Sequence, residues 1–251
     1  MSDFDRNVAA RGFSPASASA IDVGLRAYMI RIYNYMAAGV ALTGVVSWLT
    51  FTQAVVADTG GRLTLTPFGQ TIYGGPVMIA LFLGTLGIVF FLSFRIDRLQ
   101  ASTAFVLFML YAGLLGLMLS SVFLTYTHGS IARTFFISAA SFGALSLYGY
   151  TTQRDLSPIG SFLVMGLFGL IIAMLVQLWL QSPVLDFAIS AIGVLIFAGL
   201  TAWDTQKIKE MYDANDDGTV SGRKSVMGAL TLYLDFINLF LFMLRFMGDR
   251  R

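Results

Sequence analysis

The sequence predicts an all-α polytopic membrane protein, a bundle of seven transmembrane helices with the last helix central. Only 12% of the 251 residues are charged and 57% are hydrophobic, with mean hydropathy +0.76. A soluble domain carries roughly twice that charge, about 25%. Seven apolar runs each approach the roughly 20 residues needed to cross a hydrocarbon core. The last of them keeps its polar residues on one helical face, which should turn inward.

Residues 1–27 are polar and rich in Ala and Ser. They are expected to form a mobile cytoplasmic N-terminal segment ahead of a membrane domain over 28–251. They are too long for the basic region of a signal peptide, and the first apolar run can span. The spans are expected near 32–51, 74–94, 101–123, 131–150, 159–180, 184–203 and 226–247. The connections are short except at 52–73 and 205–225, where "DTGGR" (58–62) and "DANDDG" (213–218) read as turns. Small residues recur inside spans, at Gly84 and Gly87, Gly113 and Gly116, Ala139 and Gly143, and Gly166 and Gly169. They are expected to let helices approach closely.

Eleven of the 16 basic residues fall on one side of this layout, in the N-terminal segment and in the loops after spans two, four and six. The excess of Lys and Arg places that side, and the N-terminus, in the cytoplasm. Seven crossings leave Arg245, Arg250 and Arg251 outside. A re-entrant last segment would return them inside, but the last run is long enough to cross. The net charge of +2, without basic tracts, speaks against nucleic acid as a partner. Without cysteine there is no disulfide, thiolate metal site or cysteine nucleophile. His128 is alone and cannot build a His-rich metal site. It reads as a solvated loop residue, with an outer proton sensor as the weaker reading.

Gly228, Thr231, Asp235, Asn238, Phe242 and Arg245 are spaced 3, 4, 3, 4 and 3 residues apart. At about 100° per residue they share one face of the last helix. A central aspartate costs about 2.5–3.5 kcal/mol to insert, which marks Asp235 as functional, with Thr231 and Asn238 in support. Asp204 closes span six and Asp186 opens it; 18 residues apart, they lie on one face, about 27 Å from each other. Two carboxylates meeting in low dielectric are expected to share a proton and titrate as a unit. Such a pair suits a proton sensor, a site for a hard cation such as Ca²⁺, or both. On these spans Asp235 lies deeper than Asp204 by roughly 10 Å at 1.5 Å per residue. The pair meets if span six continues past Trp203, as "DTQKIKEMY" (204–212) permits, and if the last helix begins as early as Arg223.

"WDTQKIK" (203–209) and "LYLDFINLFLFMLRFMG" (232–248) resemble the Bax inhibitor-1/YccA family of membrane proteins. The resemblance covers nearly the whole chain after Tyr28. It implies a pH-sensitive calcium leak in a bacterial inner membrane, gated by an aspartate pair at Asp204 and Asp235. It also implies a basic latch at the cytoplasmic end of span two, at Arg95 or Arg98. Some bacterial relatives suggest instead a regulator that binds and inhibits a membrane-bound protease. The expected ligands and partners are thus the bilayer, Ca²⁺ as the transported or bound ion, and such a protease, with no cofactor.

Asp213, Asn215, Asp217 and Gly218 match the start of an EF-hand loop, but its twelfth position is Lys224 where a bidentate Glu is needed. An Asp/Asn-rich turn is expected, with a weak Ca²⁺-collecting site as the alternative. Intramembrane aspartyl proteases also pair two late aspartates. They resemble this chain poorly, since Leu232, Tyr233 and Leu234 replace Gly-x-Gly before the acid. No lysine lies in 226–247 to carry a retinal. A non-enzyme is expected.

Overall fold

The computed structural model describes residues 15–57 and 63–251, with side chains from Val23 onward. Helix α1 (Pro15–Ala54) leads into a two-stranded antiparallel hairpin, β1 (Val55–Ala57) and β2 (Leu63–Leu65), and a short helix α2 (Pro67–Ile72). Then come α3 (Gly75–Arg95), a 3-10 turn (Ile96–Arg98), α4 (Ala101–Leu119), the single-turn α5 (Val122–Thr125) and α6 (His128–Thr151). Helices α7 (Ser157–Leu180), α8 (Pro183–Glu210) and α9 (Gly218–Met247) complete the chain. Among the described residues seven helices are long and apolar enough to cross a membrane: α1, α3, α4, α6, α7, α8 and α9.

The ends of these helices follow from local chemistry. Thr127, Ser182 and Asp217 each accept the N–H three residues on, capping α6, α8 and α9. Proline stands in the first turn of α3, α7 and α8, where a missing N–H loses no helix bond. Gln181 ends α7 in the left-handed region, at φ 46°.

Helix α9 is the axis of the bundle. Its apolar window is 72% buried, against 11–39% for the other spans, and it packs on α1, α4, α6 and α8. Helix α3 packs on α4, and α7 on α8, so these two turn most of their apolar surface outward. The ends of α9 lie at opposite faces of the bundle. Near its start, Lys224 Nζ donates to Met211 O in the loop after α8 at 2.9 Å. Beyond its last turn, Thr127 N–H donates to Asp249 O at 3.1 Å, and Arg251 N–H to Thr125 O at 2.9 Å. The last helix therefore crosses completely, and the re-entrant alternative is excluded. We call the face with the loops after α3, α6 and α8 the basic end, and the opposite face the C-terminal end.

Helix α1 starts at Pro15 and runs through residue 27; residues 1–14 lie outside the described residues, as does the 58–62 turn. Two expectations need correction. The long connections at 52–73 and 205–225 are largely structured, the first by the hairpin and α2, the second by the ends of α8 and α9. Among the small residues singled out, Gly116 meets α1 at Thr43 O and Val46, but Gly84, Gly87, Gly113, Gly143 and Gly169 face open space. Gly166 touches Ile196 of α8, and further tight crossings fall at glycines not singled out. Gly149 of α6 leaves no room for a Cβ against the Ala202 backbone of α8, and Gly193 of α8 none against the Phe242 ring of α9.

Candidate functional site

The α8–α9 hairpin sets the site. Gly228 lies against Ile208, Gly193 against Phe242, and Lys224 against Met211. These antiparallel pairs are centred near residue 218, where α9 has only begun. Helix α9 therefore reaches about two turns past the end of α8, roughly 12 Å at 1.5 Å per residue. The loop between them runs back along those turns. This overhang absorbs the axial mismatch inferred from the sequence. The Asp204 and Asp235 side chains come within hydrogen-bonding reach of each other. Both expected routes are realised, since α8 continues past Trp203 to Glu210 and α9 starts earlier than Arg223.

The pair lines a cavity of ≈ 630 Å³ between α7, α8 and α9. Of the face read from the sequence, Thr231, Asp235, Asn238, Phe242 and Arg245 line it, while Gly228 packs on Ile208 and Ile32 instead. The walls from α7 are apolar, including Val164, Leu167 and Met174. Asp235 is 5% exposed, and its Oδ2 is buried without a hydrogen-bond partner. Among the described residues no N–H or O–H group donates to either carboxylate. Asn238 spends its N–H on Leu234 O at 2.8 Å, which leaves Oδ1 as a free acceptor.

At the far end of the cavity Arg245 reaches across to α8. Its Nε donates to Asp186 Oδ1 at 2.8 Å, Nη2 bonds the same oxygen, and Arg250 Nη2 takes Oδ2 at 3.3 Å. Asp186 is thus the anchor of a three-residue ion cluster at the C-terminal end. Asp204 of α8 lines the cavity, while Asp186 at the other end of the helix reaches it only through Arg245.

Buried hydrogen bonds hold the two helices in this register. Thr43 Oγ1 meets Tyr233 Oη at 2.6 Å and donates to Ala112 O, tying α9 to α1 and α4 opposite the acids. Beside Asp204, Thr205 Oγ1 joins Ser146 Oγ at 2.9 Å, and Ser146 joins Tyr33 Oη at 2.6 Å. Gln206 accepts from Leu156 N–H and donates to Arg154 O, both at 2.8 Å, pinning the loop after α6. Sequence reasoning missed these residues, because a lone Thr, Tyr or Gln in a span has no periodic signature. The Asp186–Arg245 pairing was open to it: two antiparallel neighbours joined by a short loop bring residues equidistant from that loop together.

Other candidates fall away from the site. Arg95 and Arg98 are exposed and form no ion pair among the described residues. Helix α3 packs on α4 and shares no extended contact with α8, and neither arginine pairs with Asp204; a cationic neighbour of Asp204 is Lys207. The EF-hand-like loop is occupied by its own backbone. Asp213 accepts from Asn215 N–H at 2.9 Å and from its side chain at 3.0 Å, Asp217 caps α9, and Lys224 pairs with Asp216 at 2.6 Å. These bonds hold the Asp213 carboxyl below the usual carboxylate range. The loop is the expected Asp/Asn-rich turn, with one oxygen each of Asp213 and Asp217 accepting its N–H groups. His128 is exposed but packs on Trp48, Phe51 and Phe123, with Arg251 Nη2 at 3.3 Å.

A family model described as "Inhibitor of apoptosis-promoting Bax1" matches residues 25–251. An uncharacterized protein of Rickettsia prowazekii is 51% identical over 92% of each chain. The inner membrane protein YbhL of Escherichia coli is 46% identical, over 91% of this chain and 94% of its own. A protein of Caulobacter vibrioides is 40% identical over the full length of both.

Proposed function

The chain belongs to the Bax inhibitor-1 family, and on that premise we propose that it is an inner-membrane protein, with its N-terminus in the cytoplasm, that lets Ca²⁺ leak through the α7–α8–α9 cavity under control of a proton shared by Asp204 and Asp235. The observation that carries this reading is the meeting of two carboxyl groups inside a cavity, with no donor but each other's proton. Ionised together, they would repel at close range in a low dielectric, so either a proton or a cation must stand between them. Ca²⁺ favours oxygen ligands and competes for those same oxygens. Asn238 Oδ1 and the Thr231 hydroxyl add neutral oxygens along the same face. Ca²⁺ takes about six to eight oxygens, so a site this sparse leaves it partly hydrated. Weak binding of this kind suits passage, since an ion must leave as readily as it enters. The Asp186–Arg245–Arg250 cluster would close the cavity at the C-terminal end. No step of the reading needs catalysis or a cofactor.

The test is Ca²⁺ entry into proteoliposomes that contain only the purified protein, followed from about pH 6 to 8. Flux that responds to pH and disappears in Asp204→Asn/Asp235→Asn supports the leak. No flux at any pH, with a membrane protease co-purifying from native membranes, would replace it by the regulator reading.

A further inference from the structure

Helices α1 and α6 both pack on α9, yet they share no extended contact with each other. The gap between them is a groove of ≈ 550 Å³ at the basic end. Its floor is the Tyr33–Ser146 hydrogen bond and the buried Phe142 ring. Its rims, Ile30 and Leu147, are 49% and 62% exposed on the surface that faces lipid. Gly143 also lines it, and a Cβ built there would meet nothing within 4 Å, so the space above Gly143 is empty.

The groove is apolar along its length and basic at one end. Arg26 lines it one turn before Ile30. From α8, Lys209 Nζ donates to the Tyr150 carbonyl at 2.9 Å and sits 5.5 Å from the centre of the Tyr150 ring, which forms the same end. Neither cation is in an ion pair among the described residues. Arg26 and Tyr150 thus line the basic end of the groove, with Lys209 held against Tyr150 beside it, above a trough open to acyl chains.

We propose that this groove is a binding site for one anionic phospholipid of the leaflet at the basic end. Its phosphate sits between Arg26 and Lys209, and one acyl chain lies over Gly143 between Ile30 and Leu147. Charge complementarity selects the headgroup, because basic pockets between spanning helices attract anionic lipid. The open side of the groove selects a lipid over a soluble ligand. The site is separate from the aspartate cavity, which lies between α7, α8 and α9.

The test is native mass spectrometry of the full-length protein released from detergent. Phosphatidylglycerol is compared with phosphatidylcholine of the same chains and with inorganic phosphate. One phosphatidylglycerol should be retained in preference to phosphatidylcholine, and phosphate should not displace it. Each cation near the surface contributes about fivefold in affinity, so Arg26→Gln and Lys209→Gln should each lower retention by about that factor. Gly143→Leu should abolish it by filling the trough, and Leu147→Trp, at an exposed rim, is a second filler should the first fail to fold. Equal retention of both lipids, displacement by phosphate, or unchanged phosphatidylglycerol retention in a folded groove-filled variant would overturn the proposal.

Discussion

Asp204 of α8 and Asp235 of α9 meet side chain to side chain although they stand at very different distances from the loop that joins their helices. The contact exists because α9 begins about two turns beyond the end of α8 and the loop folds back over that overhang. If the pair is the proton sensor, Asp235→Asn keeps the shape and removes one titrating group. Ca²⁺ flux should then lose most of its dependence on pH between about 6 and 8. An unchanged profile in a folded variant would sink the sensor. The exposed acids cannot mimic it. Backbone N–H groups hold Asp155 and Asp213 below the usual carboxylate range. Their contribution is present at neutral pH and is lost only as pH falls through those lowered values, under the ordinary carboxylate range.

Arg245→Ala should raise flux at rest. It removes two of the three bonds that close the C-terminal end of the cavity on Asp186. A part-exposed ion pair is worth up to about 1 kcal/mol, so the increase should be about fivefold or less. Asp186→Asn should act in the same direction, and the double variant should add little to either. Additive effects would mean that the two residues do not form one closure.

Orientation can be read by labelling, because the chain has no cysteine. Arg98→Cys and Asn215→Cys should react with an impermeant maleimide only after the inner face is opened. Arg251→Cys should react in intact spheroplasts. The opposite pattern would invert the assignment made from the basic residues.

Glycine substitutions should separate packing from composition. Gly149→Val drives a side chain into the α8 backbone at Ala202, and such overpacking costs about 1–3 kcal/mol or more. Gly84→Ala and Gly169→Ala, which meet open space, should leave thermal unfolding in detergent almost unchanged. Similar losses at all three would show that open space does not predict tolerance.

Asp217→Ala removes the cap that fixes where α9 starts, at a cost of about 1 kcal/mol. The exchange of amides in 218–224 should quicken, while that of amides around Asp235 stays slow. Uniform protection across α9 would show that the overhang does not depend on its cap.

The amino-acid sequence by itself determined the seven crossings, the inward polar face of α9 and the two acids worth watching. These are one-dimensional properties: run length, 3.6-residue periodicity and the high cost of a carboxylate in hydrocarbon. Tertiary structure alone decided the axial register of α8 against α9, and with it the contact of Asp204 with Asp235. That register depends on where two helices end across a polar loop, and Asp217 and Lys224 set it through contacts made only in the folded chain. It also decided that α3 packs on α4 without extended contact to α8, which leaves Arg95 without the partner that resemblance implied. It placed the close crossings at Gly149 and Gly193 as well. A glycine is informative only when a neighbour occupies the space its side chain lacks, and nothing in the order of residues says which neighbour will be there.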